Sequence, residues 1–287
     1  MCDPGVALTL AQPSVVDLAG VLEAHRSWHS GDAPFQPHPG DLGWQWRFGA
    51  DATAAALRTW SRDGEVLAIG FLDEPTVLRL AIGPGAIRDE ELADRVASDL
   101  STVLPTGRVV LEVTPSALLR EHLLDAQWQL DEPWTQLRRD LSKPVEPPGL
   151  RVEVVGPELV SARTAVQRSA FPKSTFTDER WHVMAAGPMY ADARCLLGFD
   201  GDQPVAAVTV WSAGPGRRGL LEPVGVHADH RGRGHGRAIC LAAAAALQEL
   251  GAASAEVCTL SANTAAVATY LSAGFERVAD VPDLARR

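Results

Sequence analysis

Residues 227–247 read HADHRGRGHGRAICLAAAAAL, which places three glycines and three arginines directly ahead of a run of alanines. The alanines and leucines predict a helix over residues 238–250, and Gly251 supplies its C-terminal stop. The apolar residues 220–226 ahead of the loop predict a strand. Free amides and a partial positive charge at the start of such a helix favour a bound phosphate. The stretch therefore predicts a strand, a phosphate-binding loop and a helix.

Two common phosphate-binding motifs do not match this loop. A P-loop needs a lysine and then Ser or Thr after its last glycine, where Arg237 and Ala238 stand. A dinucleotide-binding loop has the order G-x-G-x-x-G, whereas the three glycines here alternate with other residues. The acidic residue that such a site needs on a second strand, about twenty residues on, is not clear, although Glu256 lies at roughly that distance. The first motif is excluded and the second is disfavoured.

The hexapeptide RGRGHG, residues 231–236, resembles the (Q/R)-x-x-G-x-(G/A) signature of the GNAT superfamily of acyl-CoA-dependent N-acyltransferases. The resemblance extends to the preceding strand, the alanine helix, the strand AEVCTL, and a helix with Asn263 and Tyr270 ahead of GFERV. It implies an α+β fold in which a mixed, mostly antiparallel sheet is flanked by helices, with acetyl-CoA as the cofactor.

The resemblance also implies which residues hold the cofactor. The loop is expected to bind the pyrophosphate of coenzyme A, while the strand before it pairs with the pantetheine arm like an added strand. The residues assigned to cofactor binding are Val224, Gly225, Val226, Arg231, Gly232, Arg233, Gly234, His235, Gly236, Arg237 and Asn263.

Acyl transfer from a thioester to an amine needs a neutral amine, a polarised carbonyl and a proton for the departing thiolate. Asn263 and Tyr270 are seven residues apart, which places them on one helix face with the small Ala266 between them. Similarity to the family makes Tyr270 the general acid. A core tyrosine whose hydroxyl is satisfied by the protein is the alternative.

Glu222 is the candidate general base. Strand alternation puts it on the same side as Val224 and Val226, where a carboxylate among apolar neighbours is costly without a purpose or a partner. It is expected to deprotonate the amine directly or through a water; a structural ion pair with an arginine such as Arg218 is the alternative. The resemblance further implies that a backbone amide near Val226 stabilises the oxyanion.

The chain consists of two similar halves. RVVLEV at residues 108–113 and SAEVCTL at residues 254–260 are each followed by a helix and a closing small-residue-plus-aromatic step, which indicates an internal duplication. Asp-Gly pairs predict a hairpin in each half, within residues 61–66 and 199–204. Proline-rich residues 141–150 predict a linker.

The predicted domains are residues 1–143 and 150–287, joined by a linker at 144–149. Residues 83–96 of the first half, GPGAIRDEELADRV, have no R-x-x-G-x-G and place acids where phosphate would lie. Leu123 stands where Tyr270 stands in the second half. We therefore expect a degenerate first repeat without cofactor. This arrangement is similar to that of the mycothiol synthase family, although no residue of this sequence identifies the substrate of that family.

Composition excludes several classes of protein. The net charge is −10, and residues 1–145 hold 21 acidic against 12 basic residues, which argues against a nucleic-acid partner. No apolar run reaches the ~18 residues of a membrane span. Cys2, Cys195, Cys240 and Cys258 are too scattered for zinc, so no metal site is predicted. Asp3 stands where a secretory signal would have basic residues, so we expect a cytoplasmic protein. We expect it to be a monomer or a homodimer.

These observations predict an N-acetyltransferase that moves an acetyl group from acetyl-CoA to a primary amine of a small molecule, by direct attack in a ternary complex. A non-catalytic acyl-CoA-binding sensor or scaffold is the alternative. Residues 169–190 lie where family members fold their acceptor-binding helices and loops, and at least half of their aromatic side chains are expected to pack in the core. These side chains are Phe171, Phe176, Trp181 and Tyr190.

Overall fold

The computed structural model describes residues 7–31 and 33–287. Cys2 lies outside the described residues. In chain order the elements are β1 (Thr9–Ala11), α1 (Leu18–Ser27), α2 (Pro39–Gln45), α3 (Ala50–Ala56), β2 (Leu57–Arg62), β3 (Glu65–Glu74), β4 (Val77–Ile82), α4 (Glu90–Val103), β5 (Val109–Val113), α5 (Leu118–Asp125), β6 (Gln129–Asp140), β7 (Arg151–Val154), α6 (Val160–Ala170), α7 (Asp178–Ala185), β8 (Ala193–Asp200), β9 (Gln203–Ser212), β10 (Arg218–Val226), α8 (His235–Glu249), β11 (Ser254–Leu260), α9 (Thr264–Ser272) and β12 (Glu276–Arg286).

The chain folds into two compact units. Unit 1 comprises Met1–His38, Ala50–Trp134 and Val281–Arg287, and unit 2 comprises Pro39–Gly49 and Thr135–Asp280. Unit 2 thus takes α2 from the first predicted domain, and unit 1 takes the end of β12 from the second. The predicted linker, residues 144–149, has no regular secondary structure.

Unit 1 is a mixed sheet with helices. Its strands follow the order β1-β2-β3-β4-β5 and then the end of β12; β4 and β5 are parallel and the other pairs are antiparallel. The turn between β2 and β3 has positive φ at both Asp63 (53°) and Gly64 (79°), as a two-residue type I′ hairpin requires. Trp60, Leu78 and Leu111 are completely buried in its core.

Unit 2 repeats this pattern. Its strands follow the order β7-β8-β9-β10-β11 and then the end of β6; β10 and β11 are parallel, and the pairs from β7 to β10 are antiparallel. In the β8–β9 turn only Gly201 (φ 59°) has the positive φ that was predicted for an Asp-Gly pair, because Asp200 is the last residue of β8. Glycine at the first central position suits a type II′ turn.

The predicted fold class is confirmed. In each unit a first strand and helical segment precede a hairpin, a strand, a long helix, a strand, a helix and a final strand. The long helix α8 begins at His235, three residues before the predicted start, and Gly251 (φ 79°) follows its end as predicted. Within the described ranges, no helix combines the length and the apolar character that crossing a bilayer requires.

Unit 1 contains a carboxyl group with a strongly displaced pKa. Burial, and next the charge of Glu112, raise the pKa of Asp283 to about 7, against the opposing influence of Arg79 and Arg120. A carboxyl whose folded pKa exceeds its unfolded value of about 3.9 is protonated preferentially in the folded state. The folded state therefore loses stability as pH rises from about 4 to 7, and the loss is complete above pH 7.

We expect Asp283→Asn to remove this pH dependence. At pH 8 the variant should be more stable by about 1–2 kcal/mol, a value reduced for the partial exposure of the side chain, and at pH 4 the two proteins should be equal. Urea unfolding at both pH values measures the difference. If the variant gains more stability at pH 4 than at pH 8, the predicted direction of the pKa shift of Asp283 is wrong.

Candidate functional site

The first turn of α8 presents unsatisfied backbone amides. Gly234 (φ 84°) is the N-cap, and the first helical hydrogen bond runs from the Ala238 amide to the Gly234 carbonyl, 3.1 Å. The amides of His235, Gly236 and Arg237 precede it, so they have no acceptor within the helix. Among the described residues no side chain caps this end, and its first turn holds no acid. The amides and the helix dipole together favour an anion here.

The corresponding helix of unit 1 is closed to an anion. The Asp89 side chain caps α4 by accepting a hydrogen bond from the Leu92 amide, 2.9 Å, and Glu90 and Glu91 lie in the first turn. The Arg62 guanidinium, which binds Asp89, is the main cause that lowers the pKa of that carboxyl. A phosphate at this position would meet carboxylates that are already ionised. The absence of cofactor binding in the first repeat stays a prediction.

The loop glycines serve two different purposes. Gly232 (φ 75°) and Gly234 need positive φ, and a Cβ at either would meet no atom within 4 Å, so both leave the loop surface bare. A Cβ at Gly236 would instead lie 2.9 Å from Thr269 Cγ2, so this glycine allows α8 to pack closely on α9. The His235 imidazole is buried, so only the backbone of this residue faces the loop opening.

Two of the three loop arginines bind the protein itself. Arg231 Nη2 donates to the Ala170 carbonyl, 2.9 Å, and Arg237 Nε donates to the Ser272 carbonyl, 2.9 Å. The Arg233 side chain is exposed beside the loop. The loop is thus anchored at both ends, and we expect direct charge pairing with a ligand mainly from Arg233.

The strand before the loop has an uncovered edge. Pairing between β10 and β11 ends at Leu220, opposite Glu256. On the other side of β10 the His227 amide donates to the Val205 carbonyl, 2.8 Å, and the pairing with β9 continues through residues 224–226. Alternation along an antiparallel pair then directs the N–H and C=O groups of Val224 and Val226 to the uncovered edge. Those groups are available to an extended ligand.

A β-bulge lies in the middle of the same strand. Glu222 and Pro223, joined by a cis peptide bond, together face Thr209, because the register with β9 shifts between Leu221 and Val224. The alternation that was used to place the Glu222 side chain does not extend across a bulge. The Trp211 indole donates to the Glu222 carbonyl, 2.8 Å, and so holds the bulge from the β9 side.

Tyr270 lies in the core beside this strand. Its side chain is 8% exposed and its ring lies 6.0 Å from that of Phe275. Burial is the main cause that raises the pKa of Tyr270, followed by the nearby groups of Cys240, Glu222 and Cys258. The hydroxyl therefore stays protonated, and the charge of Glu222 contributes to this shift. Tyr270 and Glu222 are thus within electrostatic range of each other, and their catalytic roles stay predictions.

Asn263 differs from its predicted position on a helix face. It is the N-cap of α9: its Oδ1 accepts from the Ala266 amide, 3.3 Å, and its Nδ2 donates to Thr259 Oγ1, 3.4 Å. Asparagine is among the preferred N-cap residues because its short side chain satisfies an amide that the helix leaves open. Tyr270 lies seven residues further, within α9, so only Tyr270 of the pair is part of the helix itself.

The arginine considered as a partner of Glu222 forms an ion pair in the interior. Arg218 Nη1 lies 3.3 Å from Glu256 Oε1, and Arg138 Nη2 lies 2.7 Å from the same oxygen. Arg218 and Glu256 are both buried. Glu256 therefore belongs to a structural charge cluster and not to a dinucleotide site.

The aromatic side chains of residues 169–190 divide between core and surface. Phe176 and Trp181 are buried, Tyr190 is half-buried, and Phe171 is 40% exposed. They lie on the side of the unit 2 sheet that packs against α6. As expected, half of the four are core residues.

Sequence reasoning missed two contributors to this side of unit 2. Trp44, on α2, stacks on Phe176 with ring centres 5.0 Å apart. Arg163 lies on the buried stripe of α6 and is wholly inaccessible. The buried residues of this stripe have helical spacing, so the sequence could have shown that an arginine lies among buried positions. They are Val160, Arg163, Thr164, Gln167 and Ala170.

Comparison with known proteins gives consistent results. Residues 158–275 match the model of the acetyltransferase (GNAT) family. No curated protein matches the chain significantly. The fold is similar to that of a GCN5-related N-acetyltransferase from Sphaerobacter thermophilus, with 19% identity, a TM-score of 0.58, and 97% of this chain and 95% of that one covered.

Two further solved structures share the fold along the chain. An acetyltransferase of the GNAT family from Colwellia psychrerythraea has 14% identity and a TM-score of 0.60, with 98% of this chain and 100% of that one covered. A tandem GNAT protein from the clavulanic acid biosynthesis pathway has 14% identity and a TM-score of 0.58, with 98% of each chain covered.

Proposed function

We propose that this chain, whose residues 158–275 match the model of the acetyltransferase (GNAT) family, moves an acetyl group from acetyl-CoA to a primary amine of a small molecule by direct attack in a ternary complex. The family and the fold support acyl transfer in general, and the site of unit 2 supports the more specific reaction.

The bare amides at the start of α8, in combination with the uncovered edge of β10, carry this proposal. Amides of residues 235–237 and the exposed Arg233 provide a site for a diphosphate. Val224 and Val226 offer backbone groups to the amide-containing arm that follows the diphosphate in coenzyme A. Both features lie on consecutive residues of one strand, loop and helix, so a single extended ligand suits them.

Two side chains at this edge provide the proton chemistry. Acetyl-CoA supplies a thioester whose carbonyl carbon accepts the amine. Glu222 removes the proton of the ammonium group directly or through a water, so that the amine nitrogen has a free electron pair. Tyr270 holds a proton at its hydroxyl, because burial keeps it neutral, and gives it to the sulfur as the carbon–sulfur bond breaks. The proton that the attacking nitrogen loses on forming the amide then restores the hydroxyl. The backbone amide near Val226 is the proposed donor to the developing oxyanion.

Gly234→Asp is expected to lower the affinity for coenzyme A by more than about 100-fold. The new carboxylate lies at the N-cap, as Asp89 does in α4, where it competes for the amides and repels the diphosphate. Isothermal titration with coenzyme A measures the loss.

Gly234→Asn is the matched control, because asparagine has the same size, tolerates positive φ and carries no charge. Its affinity should stay within about 10-fold of that of the unmodified protein. Equal affinities of the Asp and Asn variants would contradict the proposed diphosphate site. If the unmodified protein shows no heat and no saturation up to millimolar coenzyme A, the proposed function fails.

A further inference from the structure

Arg163 is a buried cation without a negative partner. Its Nε donates to Cys195 Sγ and its Nη2 donates to Thr209 Oγ1, each at 3.2 Å. The third nitrogen, Nη1, is buried and has no hydrogen-bond partner. Throughout the described ranges, the guanidinium forms no ion pair. An unpaired buried charge is unfavourable for folding, so an anion that binds there would compensate for it.

Unit 2 contains a second unsatisfied donor. The Trp181 indole nitrogen is buried and has no acceptor in the described structure. Its ring lies 5.9 Å from that of Tyr190, and Tyr190 also interacts electrostatically with Arg163. Burial, the main cause, raises the pKa of Tyr190, so this hydroxyl stays neutral and does not supply the missing negative charge. Two donors near one neutral tyrosine therefore lack an acceptor.

Aromatic rings surround the guanidinium. Its central carbon lies 4.5 Å from the ring centre of Phe176 and 6.0 Å from that of Trp44. The faces of aromatic rings partly stabilise a cation that lies over them. The N–H bonds of Nη1 point outward in the plane of the guanidinium, so these rings do not accept hydrogen bonds from it. Residues 171–177, which join α6 to α7 and carry Phe176, have no regular secondary structure. Movement of this segment would open the guanidinium to a ligand.

The guanidinium is next to the proposed reaction site. Thr209, which binds Arg163, is the β9 residue that faces the bulge of Glu222 and Pro223. Trp211, two residues further on the same face, donates to the Glu222 carbonyl, and its ring lies 6.2 Å from that of Tyr190. A small molecule with its amine at Glu222 can therefore extend along these aromatic rings toward Arg163.

We propose that Arg163 binds a carboxylate of the amine acceptor, so that the acceptors are amino carboxylic acids with an apolar or aromatic body. This inference rests on the proposed function. One cation suits a group with one negative charge, and the free Nη1 donor suits one of its oxygens. The aromatic rings between Glu222 and Arg163 select the apolar body of the molecule.

The first test compares acceptors that differ only in their carboxylate. Acetyl transfer is measured with a panel of α-, β- and γ-amino acids, phenylalanine included, and with the carboxamide of each. The preferred acid should exceed its amide in kcat/KM by about 10- to 100-fold, as expected for a hydrogen bond to a charged group. In Arg163→Met this ratio should fall to about one, while the affinity for coenzyme A is unchanged.

Arg168→Met is the matched control, because Arg168 is exposed on the same helix, and it should keep the full ratio. A protein that acetylates amides as well as acids, or an Arg163→Met variant that still prefers acids, would overturn the proposal.

The second test does not need turnover. Phenylacetate should raise the melting temperature of the unmodified protein and of Gly234→Asp but not of Arg163→Met, and phenylacetamide should raise none of them. Arg163→Met should also melt at the same or a higher temperature than the unmodified protein, because an unpaired buried charge is removed. If Arg163→Met melts at a lower temperature and phenylacetate has no effect on the unmodified protein, Arg163 only contributes to packing and the proposal is overturned. If no amine is acetylated, the proposed function fails and the phenylacetate result alone decides this inference.

Discussion

Replacing Tyr270 by Phe should lower kcat for acetyl transfer by about 10²- to 10⁴-fold, the range typical of a positioned general acid. The variant removes one oxygen from a side chain that is 8% exposed and packs near Phe275, so the core should remain intact. The proposed coenzyme A site consists of the loop and the edge of β10, neither of which this change alters. We therefore expect the titration with coenzyme A to be unchanged while turnover falls.

The pH dependence provides an independent check on this role. Burial raises the pKa of Tyr270, so its hydroxyl remains a proton donor well into the alkaline range. The unmodified enzyme should accordingly lose no activity through tyrosine ionisation up to pH 10, the ordinary pKa of the group. An alkaline limb centred below pH 10 that disappears in Tyr270→Phe would contradict the assigned environment.

Glu222→Gln tests the second half of the mechanism. It should lower kcat/KM most at low pH, where the amine is protonated and needs a base, and the defect should shrink as pH approaches the pKa of the amine. If Tyr270→Phe and Glu222→Gln both keep full rates, the two role assignments are wrong. An unmodified protein that binds coenzyme A tightly but acetylates no amine favours the sensor or scaffold instead.

The order of elements was predictable because it depends on local patterns. Helix propensity, hydrophobic periodicity and turn residues act over a few neighbouring positions, so α8, the hairpins and the parallel strand of each unit are readable from the sequence. The start of α8 was placed late because His235, Gly236 and Arg237 are weaker helix formers than the alanines that follow. Packing of Gly236 against Thr269 favours the helical conformation beyond propensity.

The geometry of the site was less predictable because it depends on distant partners. No local signal reveals that β11 leaves β10 after Leu220, or that Glu222 and Pro223 face a single residue of β9. Asn263 was predicted to be carried by the helix, whereas it caps the start of α9 with its side chain. The contribution of α2 to unit 2 is a similar case, since residues 39–49 lie far along the chain from the other residues of that unit.

Replacing Glu256 by Leu should destabilise unit 2 by about 3–5 kcal/mol, the cost typical of removing one partner from a buried ion pair. Arg218 is buried and lies 3.3 Å from the Glu256 carboxylate, whereas Arg138 is partly exposed and can turn to solvent. The loss of the carboxylate therefore removes one negative partner of the buried Arg218 charge. Urea unfolding monitored by tryptophan fluorescence measures the difference.

The double variant Glu256→Leu/Arg218→Met shows whether charge or shape causes the loss. Because it removes both buried charges and keeps apolar volume, it should recover much of the stability that the single variant loses. Arg277→Ala is the control for an exposed pair, since Arg277 lies 2.7 Å from Asp280 with both side chains more than 40% exposed, and it should cost less than about 1 kcal/mol. If the double variant is as unstable as the single one, the defect comes from packing around residue 256, and the charge cluster does not stabilise the fold as described.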